Sequence, residues 1–171
     1  MDIQYNNLYT HFVFTTKDRY PCISEKHRVR IEKYITGVVN NHKCKMYAIY
    51  ANPEHVHFLV SRNPEMSEKV VADLVANASE IFINNEKLAV GHFVWQHSCS
   101  AFSVSKGDID KVCKYILNQP EHHKKKTFAQ EYDEFLNFYQ HTLLENKGIR
   151  EWMDDVNSAT KGTLINKGYK I

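Results

Sequence analysis

The sequence lacks the features that mark secreted, membrane-spanning and zinc-ribbon proteins. Its four cysteines are widely spaced, and none forms the C-x-x-C pair of a structural zinc site. No apolar run approaches the roughly 20 residues that a transmembrane helix needs. The first residues do not combine a basic segment with an apolar one, as a signal peptide does. These absences predict a cytoplasmic protein with reduced thiols and no membrane partner.

The sequence also has little excess of either charge. Its formal net charge is +2, so a nucleic-acid partner would have to bind a local basic patch rather than a generally basic surface. Hydrophobic residues make up 43% and charged residues 25% of the 171 positions. This balance is typical of a folded globular chain that is long enough to bury its own core.

Apolar periodicity predicts alternating strands and helices. Strands are predicted at 8–16, 45–51, 55–61 and 93–105, with a turn at 52–54. Helices are predicted to begin near Glu25, Ser67, Gly107 and Thr127. The order β-α-β-β-α-β, followed by helices, predicts a ferredoxin-like α+β fold, with a four-stranded antiparallel sheet and helices packed on one face. We expect residues 1–140 to form one domain and residues 141–171 a partly helical C-terminal extension.

Two histidines stand at the start of the third predicted strand. Residues two apart on a strand face the same way, so His55 and His57 would share one face while Val56 and Phe58 pack under the helices. The imidazoles would then stand on the opposite, open face of the sheet. Neighbouring imidazoles disfavour each other's protonation, and neutral imidazole is a metal ligand. An isolated H-x-H pair more often consists of two unrelated histidines on a solvated strand face.

A tyrosine and a glutamine in a later helix could complete a reaction centre. Tyr115 and Gln119 are four residues apart, which places them on one face of a helix. Pro120 disfavours the helical conformation at Gln119, so the helix could end there. The tyrosine hydroxyl would be the nucleophile, with help from a divalent cation because its ordinary pKa is about 10. Tyr115 could instead be a core residue of an amphipathic helix.

Cations near these residues suggest a phosphodiester substrate, because phosphates need positive charge around them. The candidate DNA-binding residues are Arg62, Lys111, Lys114, Lys124 and Lys125. The run HHKKK, residues 122–126, could equally be a solvated helix end. Trp95 could stack on an unpaired base, although a core indole is its more frequent role.

Four segments together resemble the single-tyrosine HUH transposases, which include bacterial insertion-sequence enzymes and repeat-associated tyrosine transposases. The segments are PEHVHFLV, NPEMSEKVVADLVANAS, AFSVS and YILNQPEHHKKKTFAQEYDEF. The resemblance runs in the same order over roughly residues 8–140. "HUH" denotes histidine, a hydrophobic residue and histidine, which here are His55, Val56 and His57.

The resemblance implies a metal-dependent transposase that cleaves and rejoins single-stranded DNA hairpins by transesterification. It implies that His55, His57 and Gln119 bind Mg²⁺ or Mn²⁺. Tyr115 would form a 5′-phosphotyrosine and leave a free 3′-hydroxyl. The insertion-sequence members imply a homodimer in which the tyrosine helix of one subunit completes the site of the other. The repeat-associated relatives leave a monomer open.

Two other classes of function stay open at this stage. A ferredoxin-like sheet is also the architecture of RNA-recognition domains, so the chain could be a non-catalytic nucleic-acid-binding module, or a domesticated transposase. A small metal-dependent hydrolase or an effector-sensing domain would bind metal without DNA. That last class leaves the tyrosine helix and the basic run unexplained.

Overall fold

A computed structural model of the chain describes residues 6–123, 130 and 132–133. Its strands are β1 (Tyr9–Thr15), β2 (Lys45–Ala51), β3 (His55–Ser61) and β4 (Ser100–Val104). Its helices are α1 (Glu25–Asn41), α2 (Glu68–Asn85), α3 (Ile109–Leu117) and α4 (Gln119–His123). Residues 130, 132 and 133, in the helix expected near Thr127, are helical, and residues 141–171 lie outside the described residues. No described helix is long and apolar enough to cross a membrane.

The four strands form one antiparallel sheet in the order β2-β3-β1-β4. This is the strand order of the ferredoxin-like split βαβ arrangement, and the predicted α+β fold is therefore confirmed. Strand β3, which carries both histidines, lies in the interior of the sheet between β2 and β1. Its position between two partners fixes its register on both sides.

The main hydrophobic core lies between α1 and α2 and one face of the sheet. Val56, Phe58 and Val60 of β3 are fully buried there, as the alternation of the strand predicts. The ring of Phe58 stacks on that of Phe12, with the centroids 5.0 Å apart. Helix α2 is capped by Ser67, whose hydroxyl oxygen accepts a hydrogen bond from the backbone N–H of Val70 at 3.3 Å.

The opposite face of the sheet is covered by α3, so the expectation of an open face was wrong. Ile116 of α3 is fully buried against Leu59 of β3 and Ala48 of β2. In consequence His55 is 0% exposed and His57 is 3% exposed. An amphipathic helix with its apolar side on the sheet buries area at about 25 cal/mol per Å², which explains why this face does not stay solvated.

The last strand is shorter than the predicted 93–105, since β4 includes only Ser100–Val104. The preceding segment meets the end of β1 only through an isolated bridge, in which the N–H of Gln96 donates to the carbonyl of Thr15 at 2.8 Å, and it also bonds to α2. Asn84 donates its amide to the carbonyl of Phe93 and accepts from the Phe93 N–H, both at 2.8 Å. Trp95 is a core residue, 5% exposed, and its indole N–H donates to the Ser79 hydroxyl at 2.9 Å. The interpretation of Trp95 as a core residue was therefore correct.

Candidate active site

The two histidines of β3 stand side by side on the face of the sheet that α3 covers. Their ring centroids are 4.9 Å apart, and their planes cross at 86°. Tyr50 of β2 and Val13 of β1 lie directly opposite His57 across the strands, so the three share that face. The sequence-based pairing of His55 with His57 is thus present in the structure.

A third histidine, His11 of β1, joins this pair. Its Nε2 lies 3.0 Å from Nδ1 of His57, and the ring centroids are 5.2 Å apart. His11 is 1% exposed, and burial lowers its pKa to about 4 because the charged imidazolium would lose its hydration. His11 is therefore neutral near pH 7, with one ring nitrogen able to accept a hydrogen bond. Sequence reasoning did not single out this residue.

Each candidate ligand histidine has its Nδ1 beside a neighbouring group. Nδ1 of His57 lies beside His11, and Nδ1 of His55 lies 3.3 Å from a carboxylate oxygen of Glu54. A proton on Nδ1 makes Nε2 the nitrogen with a lone pair for a metal. Such contacts on the far nitrogen are the usual means by which proteins orient metal-binding imidazoles.

Tyr115 of α3 lies over the histidines of its own chain. Its ring is edge-on to His57, with centroids 5.7 Å apart and planes at 89°, and it lies 6.1 Å from the ring of His11. The side chain is half-buried and borders a cavity of about 510 Å³. Among the described residues, Lys114, Leu117 and Asn118 line the same cavity. The phenol is therefore placed between the imidazoles and an accessible space.

Gln119 reaches the site from the start of α4 and not from the helix that carries Tyr115. Helix α3 ends at Leu117, Asn118 is its C-cap, and a new helix begins at Gln119. The break is at Asn118, whereas Gln119 itself is helical; Pro120 has no N–H to continue the hydrogen bonds of α3 past this point. Gln119 is 0% exposed, so its amide is held inside the site although the two residues do not share one helix.

A residue that the sequence analysis treated only as part of a turn links these elements. The side-chain nitrogen Nδ2 of Asn52 donates to Oε1 of Gln119 at 3.1 Å and lies 2.9 Å from Nε2 of His55. Asn52 is 4% exposed, and its backbone N–H donates to the carbonyl of His55 at 2.8 Å. One buried amide thus brings together two of the three side chains expected to bind a metal.

The donor set of this site suits a hard divalent cation. Two imidazole nitrogens and an amide oxygen give the mixed nitrogen and oxygen ligation that Mg²⁺ or Mn²⁺ accepts. Two of the atoms concerned, Nε2 of His55 and Oε1 of Gln119, already converge on the single Asn52 nitrogen. The described part of the chain has no group of three or more His, Cys, Asp or Glu side chains arranged to hold a metal. The candidate set therefore depends on the glutamine amide.

The candidate DNA-binding cations differ in their surroundings. Lys111 and Lys114 are exposed on α3, whereas Lys124 and Lys125 lie outside the described residues. The guanidinium of Arg62 donates to the Thr10 hydroxyl at 2.9 Å and to the Met66 carbonyl at 2.6 Å. It also pairs with the carboxylate of Glu68. A phosphate contact by Arg62 would have to replace these bonds.

Comparisons with known proteins identify the family of this chain and support its fold. The model of the IS200-like transposase family matches residues 4–119. A candidate transposase of Deinococcus radiodurans R1 shares 18% identity and a TM-score of 0.54, covering 70% of this chain and 96% of its own. A REP-associated tyrosine transposase bound to a REP hairpin shares 13% identity and a TM-score of 0.52, covering 72% of each chain. These two likenesses show a shared fold. No curated protein sequence is significantly similar.

Proposed function

Because this chain belongs to the family of IS200-like transposases, we propose that it cleaves and rejoins single-stranded DNA through a covalent tyrosine intermediate. The family match supports a role in DNA transposition in general. The proposal adds the substrate, the nucleophile and the metal dependence. It rests on one observation above all, which is that the phenol of Tyr115 lies edge-on to His57 beside a cavity within a single chain.

In the proposed reaction, the hydroxyl oxygen of Tyr115 attacks the phosphorus of a phosphodiester. A bond forms between this oxygen and phosphorus, and the bond from phosphorus to the 3′ oxygen breaks. The phenol loses a proton and the departing 3′ oxygen gains one, so the products are a 5′-phosphotyrosine and a 3′-hydroxyl. The reverse attack by another 3′-hydroxyl rejoins the strand and releases the tyrosine. No nucleotide cofactor is consumed, because the phosphotyrosine keeps the energy of the broken bond.

The residues proposed to hold the cation are His55, His57 and Gln119. A divalent cation bound there would polarise the phosphate and neutralise the charge that develops on it. The protein's part is to keep the ligands buried and oriented. The contact of His11 with Nδ1 of His57, at 3.0 Å, and the contact of Glu54 with Nδ1 of His55, at 3.3 Å, serve this orientation.

We propose a DNA hairpin as the substrate, as in the structure of the REP-associated relative bound to a REP hairpin. Exposed Lys111 and Lys114 on α3 would supply charge to the phosphates next to the reacting one. Lys114 borders the same cavity as Tyr115.

A non-catalytic RNA-recognition module fits the structure less well. Such domains stack bases on aromatic side chains of an exposed sheet face. Here α3 covers the corresponding face, with Ile116 fully buried against Leu59. Base stacking on the sheet would require this helix to leave, and the buried histidines would then have no structural reason to be there.

The proposal is tested with the full chain and labelled single-stranded hairpins from the DNA beside its own gene. We expect a covalent protein–DNA adduct on a denaturing gel in the presence of Mg²⁺ or Mn²⁺ and none with a chelator. Tyr115→Phe should form no adduct. Tyr34→Phe is the matched control, because the Tyr34 ring stacks on Phe82 of α2 and phenylalanine preserves that contact.

Two results would count against the proposal. Hairpin binding without any adduct, unaffected by chelator, would assign the chain to the non-catalytic binding class. An adduct that persists in Tyr115→Phe would show that a different residue attacks.

A further inference from the structure

We propose that Asn52 is a fourth ligand of the cation, supplied by a buried amide that turns over when the cation binds. The inference rests on the proposed function, because it assumes that His55 and Gln119 bind a cation. It assigns Asn52 two states. In the metal-free protein its NH₂ group holds the ligands together, and in the metal-bound protein its carbonyl oxygen takes the place of that NH₂.

The contacts of Asn52 in the structure correspond to the first of these two arrangements, in which its NH₂ group faces the ligands. Its Nδ2 lies 2.9 Å from Nε2 of His55 and donates to Oε1 of Gln119 at 3.1 Å. Both partners are acceptors, and both are expected to give their lone pairs to the cation. The NH₂ group therefore takes the place that a cation would have, since it presents partial positive charge to the lone pairs of Nε2 and Oε1.

A rotation of the carboxamide by about 180° exchanges Nδ2 and Oδ1 without moving the backbone, because the two atoms are nearly equivalent in size and position. After the exchange an oxygen lies where the NH₂ group was. This oxygen is a suitable ligand for Mg²⁺ or Mn²⁺, for which amide carbonyls are ordinary partners. Without a cation, the rotated oxygen would face Nε2 and Oε1 with no hydrogen between them, so the rotated state is favoured only when metal is present.

The backbone keeps Asn52 where both states need it. Its N–H donates to the carbonyl of His55 at 2.8 Å, which closes the turn between β2 and β3. The next residue is Pro53, whose carbonyl accepts from the N–H of Ile23 at 3.0 Å. With 4% of its surface exposed, the Asn52 amide cannot be satisfied by bulk water and must find its partners inside the site.

The simplest alternative is that Asn52 is a brace that donates hydrogen bonds and never touches the cation. The two roles differ in the effect of Asn52→Asp. If Asn52 is a ligand, Asn52→Asp should raise the affinity for the cation, because a carboxylate presents oxygen without any rotation and adds negative charge. If Asn52 is only a hydrogen-bond donor, Asn52→Asp should lower the affinity, because a carboxylate has no hydrogen to give to His55 or Gln119.

The test is a titration of the full chain with Mn²⁺ alone, near pH 8 and without DNA, following free Mn²⁺ by electron paramagnetic resonance. We expect Asn52→Ala to bind Mn²⁺ at least about tenfold more weakly than the parent, as is usual when a group that supports a metal site is lost. We expect Asn52→Asp to bind more tightly than the parent. Asn77→Ala, an exposed asparagine of α2, is the matched control and should bind as the parent does.

The outcomes separate the two proposals. Binding by the parent that is lost in His55→Ala but unchanged in Asn52→Ala would overturn the role of Asn52 and leave the proposed function intact. Weaker binding by Asn52→Asp than by the parent would also overturn it, in favour of the brace. No Mn²⁺ binding by the parent would overturn the metal site itself and this inference with it. If Asn52→Ala does not fold, the Asn52→Asp comparison still decides.

Discussion

The ring of Tyr115 lies edge-on to the imidazole of His57 in the same chain, with ring centroids 5.7 Å apart and ring planes at 89°. Tyr115 belongs to α3, the helix that also seals the histidine face through buried Ile116. Helix α3 therefore both covers the histidine face of the sheet and positions the phenol of Tyr115. A chain folded in this way carries the proposed nucleophile and the proposed ligands together.

This relationship predicts that the tyrosine acts on the site of its own chain. Tyr115→Phe and His57→Ala should each be inactive, and their mixture should remain inactive after co-expression and co-purification. The reason is that each chain then lacks one of the two groups that its own site needs. Adduct formation on hairpin DNA is the measurement.

Restored activity in this mixture would show that the helix of one subunit serves the other, as the resemblance to insertion-sequence enzymes implied. Parent protein co-expressed with His57→Ala is the control and should remain active. Light scattering of the same samples would test the homodimer separately, which remains a prediction.

A second prediction concerns His11, whose Nε2 lies 3.0 Å from Nδ1 of His57. His11→Phe keeps a ring in this position but removes the acceptor that orients His57. We expect Mn²⁺ affinity to fall by about 10–100-fold, which is the usual cost of losing such a partner. Calorimetric titration of the metal would measure this, and excess Mn²⁺ should restore adduct formation.

The matched control for this change is His92→Phe, which replaces an exposed histidine. Unchanged Mn²⁺ affinity in His11→Phe would mean that His57 is oriented without help from His11.

A third prediction follows from the burial that lowers the pKa of His11 to about 4, from 6.5 in a solvated histidine. Between these values the unfolded chain binds a proton at His11 and the folded chain does not. The contribution of His11 to the free energy of unfolding should therefore be fully present above about pH 6.5 and should be lost as the pH drops towards 4. This contribution is on the order of 3 kcal/mol.

Urea unfolding of the metal-free protein, with chelator present, at about pH 7 and about pH 4.5 would test this dependence. His11→Phe should lose less stability than the parent over the same range, because it has no proton to bind at this position. Equal losses in both proteins would show that His11 does not contribute.

A fourth prediction contrasts Lys114 with Arg62. Lys114→Ala should weaken hairpin binding and lower the salt dependence by about one phosphate contact, without a change in stability. Arg62→Ala should leave the salt dependence unchanged and lower stability by about 1–3 kcal/mol, because its hydrogen bonds hold β3 to β1 and to the start of α2.

Fluorescence anisotropy with labelled hairpins at several salt concentrations, and urea unfolding, would measure the two effects. Lys33→Ala, an exposed lysine of α1, is the control for nonspecific loss of charge. A reduced salt dependence in Arg62→Ala would show that Arg62 gives up its internal bonds to bind phosphate.

Local patterns in the sequence were sufficient for much of the fold. Strands β2 and β3 run over the residues predicted for them, because strong alternation is bounded by a turn at 52–54. The pairing of His55 with His57 followed from the same two-residue period. The strand predicted for 93–105 was too long, since β4 includes only Ser100–Val104 and the earlier part makes an isolated bridge from Trp95 to Thr16.

The parts of the site that the sequence did not reveal depend on contacts between distant segments. His11 meets His57 only through the register of β1 against β3, and Asn52 meets Gln119 only once α3 has crossed the sheet. The histidine face was wrongly predicted to be open for the same reason, since no local sequence pattern indicates where α3 packs. The available signal for the third histidine was the position of His11 on β1, and it can be interpreted only once the strand order is known.

The central claim is that Tyr115 is the residue that becomes joined to DNA. The most direct measurement is to trap the adduct on a hairpin, digest the protein and the DNA, and locate the nucleotide mass by tandem mass spectrometry. The account predicts a 5′-phosphate on the side chain of Tyr115. A phosphate on Tyr9 or Tyr50, which pack in the same cluster as Tyr115, would contradict it.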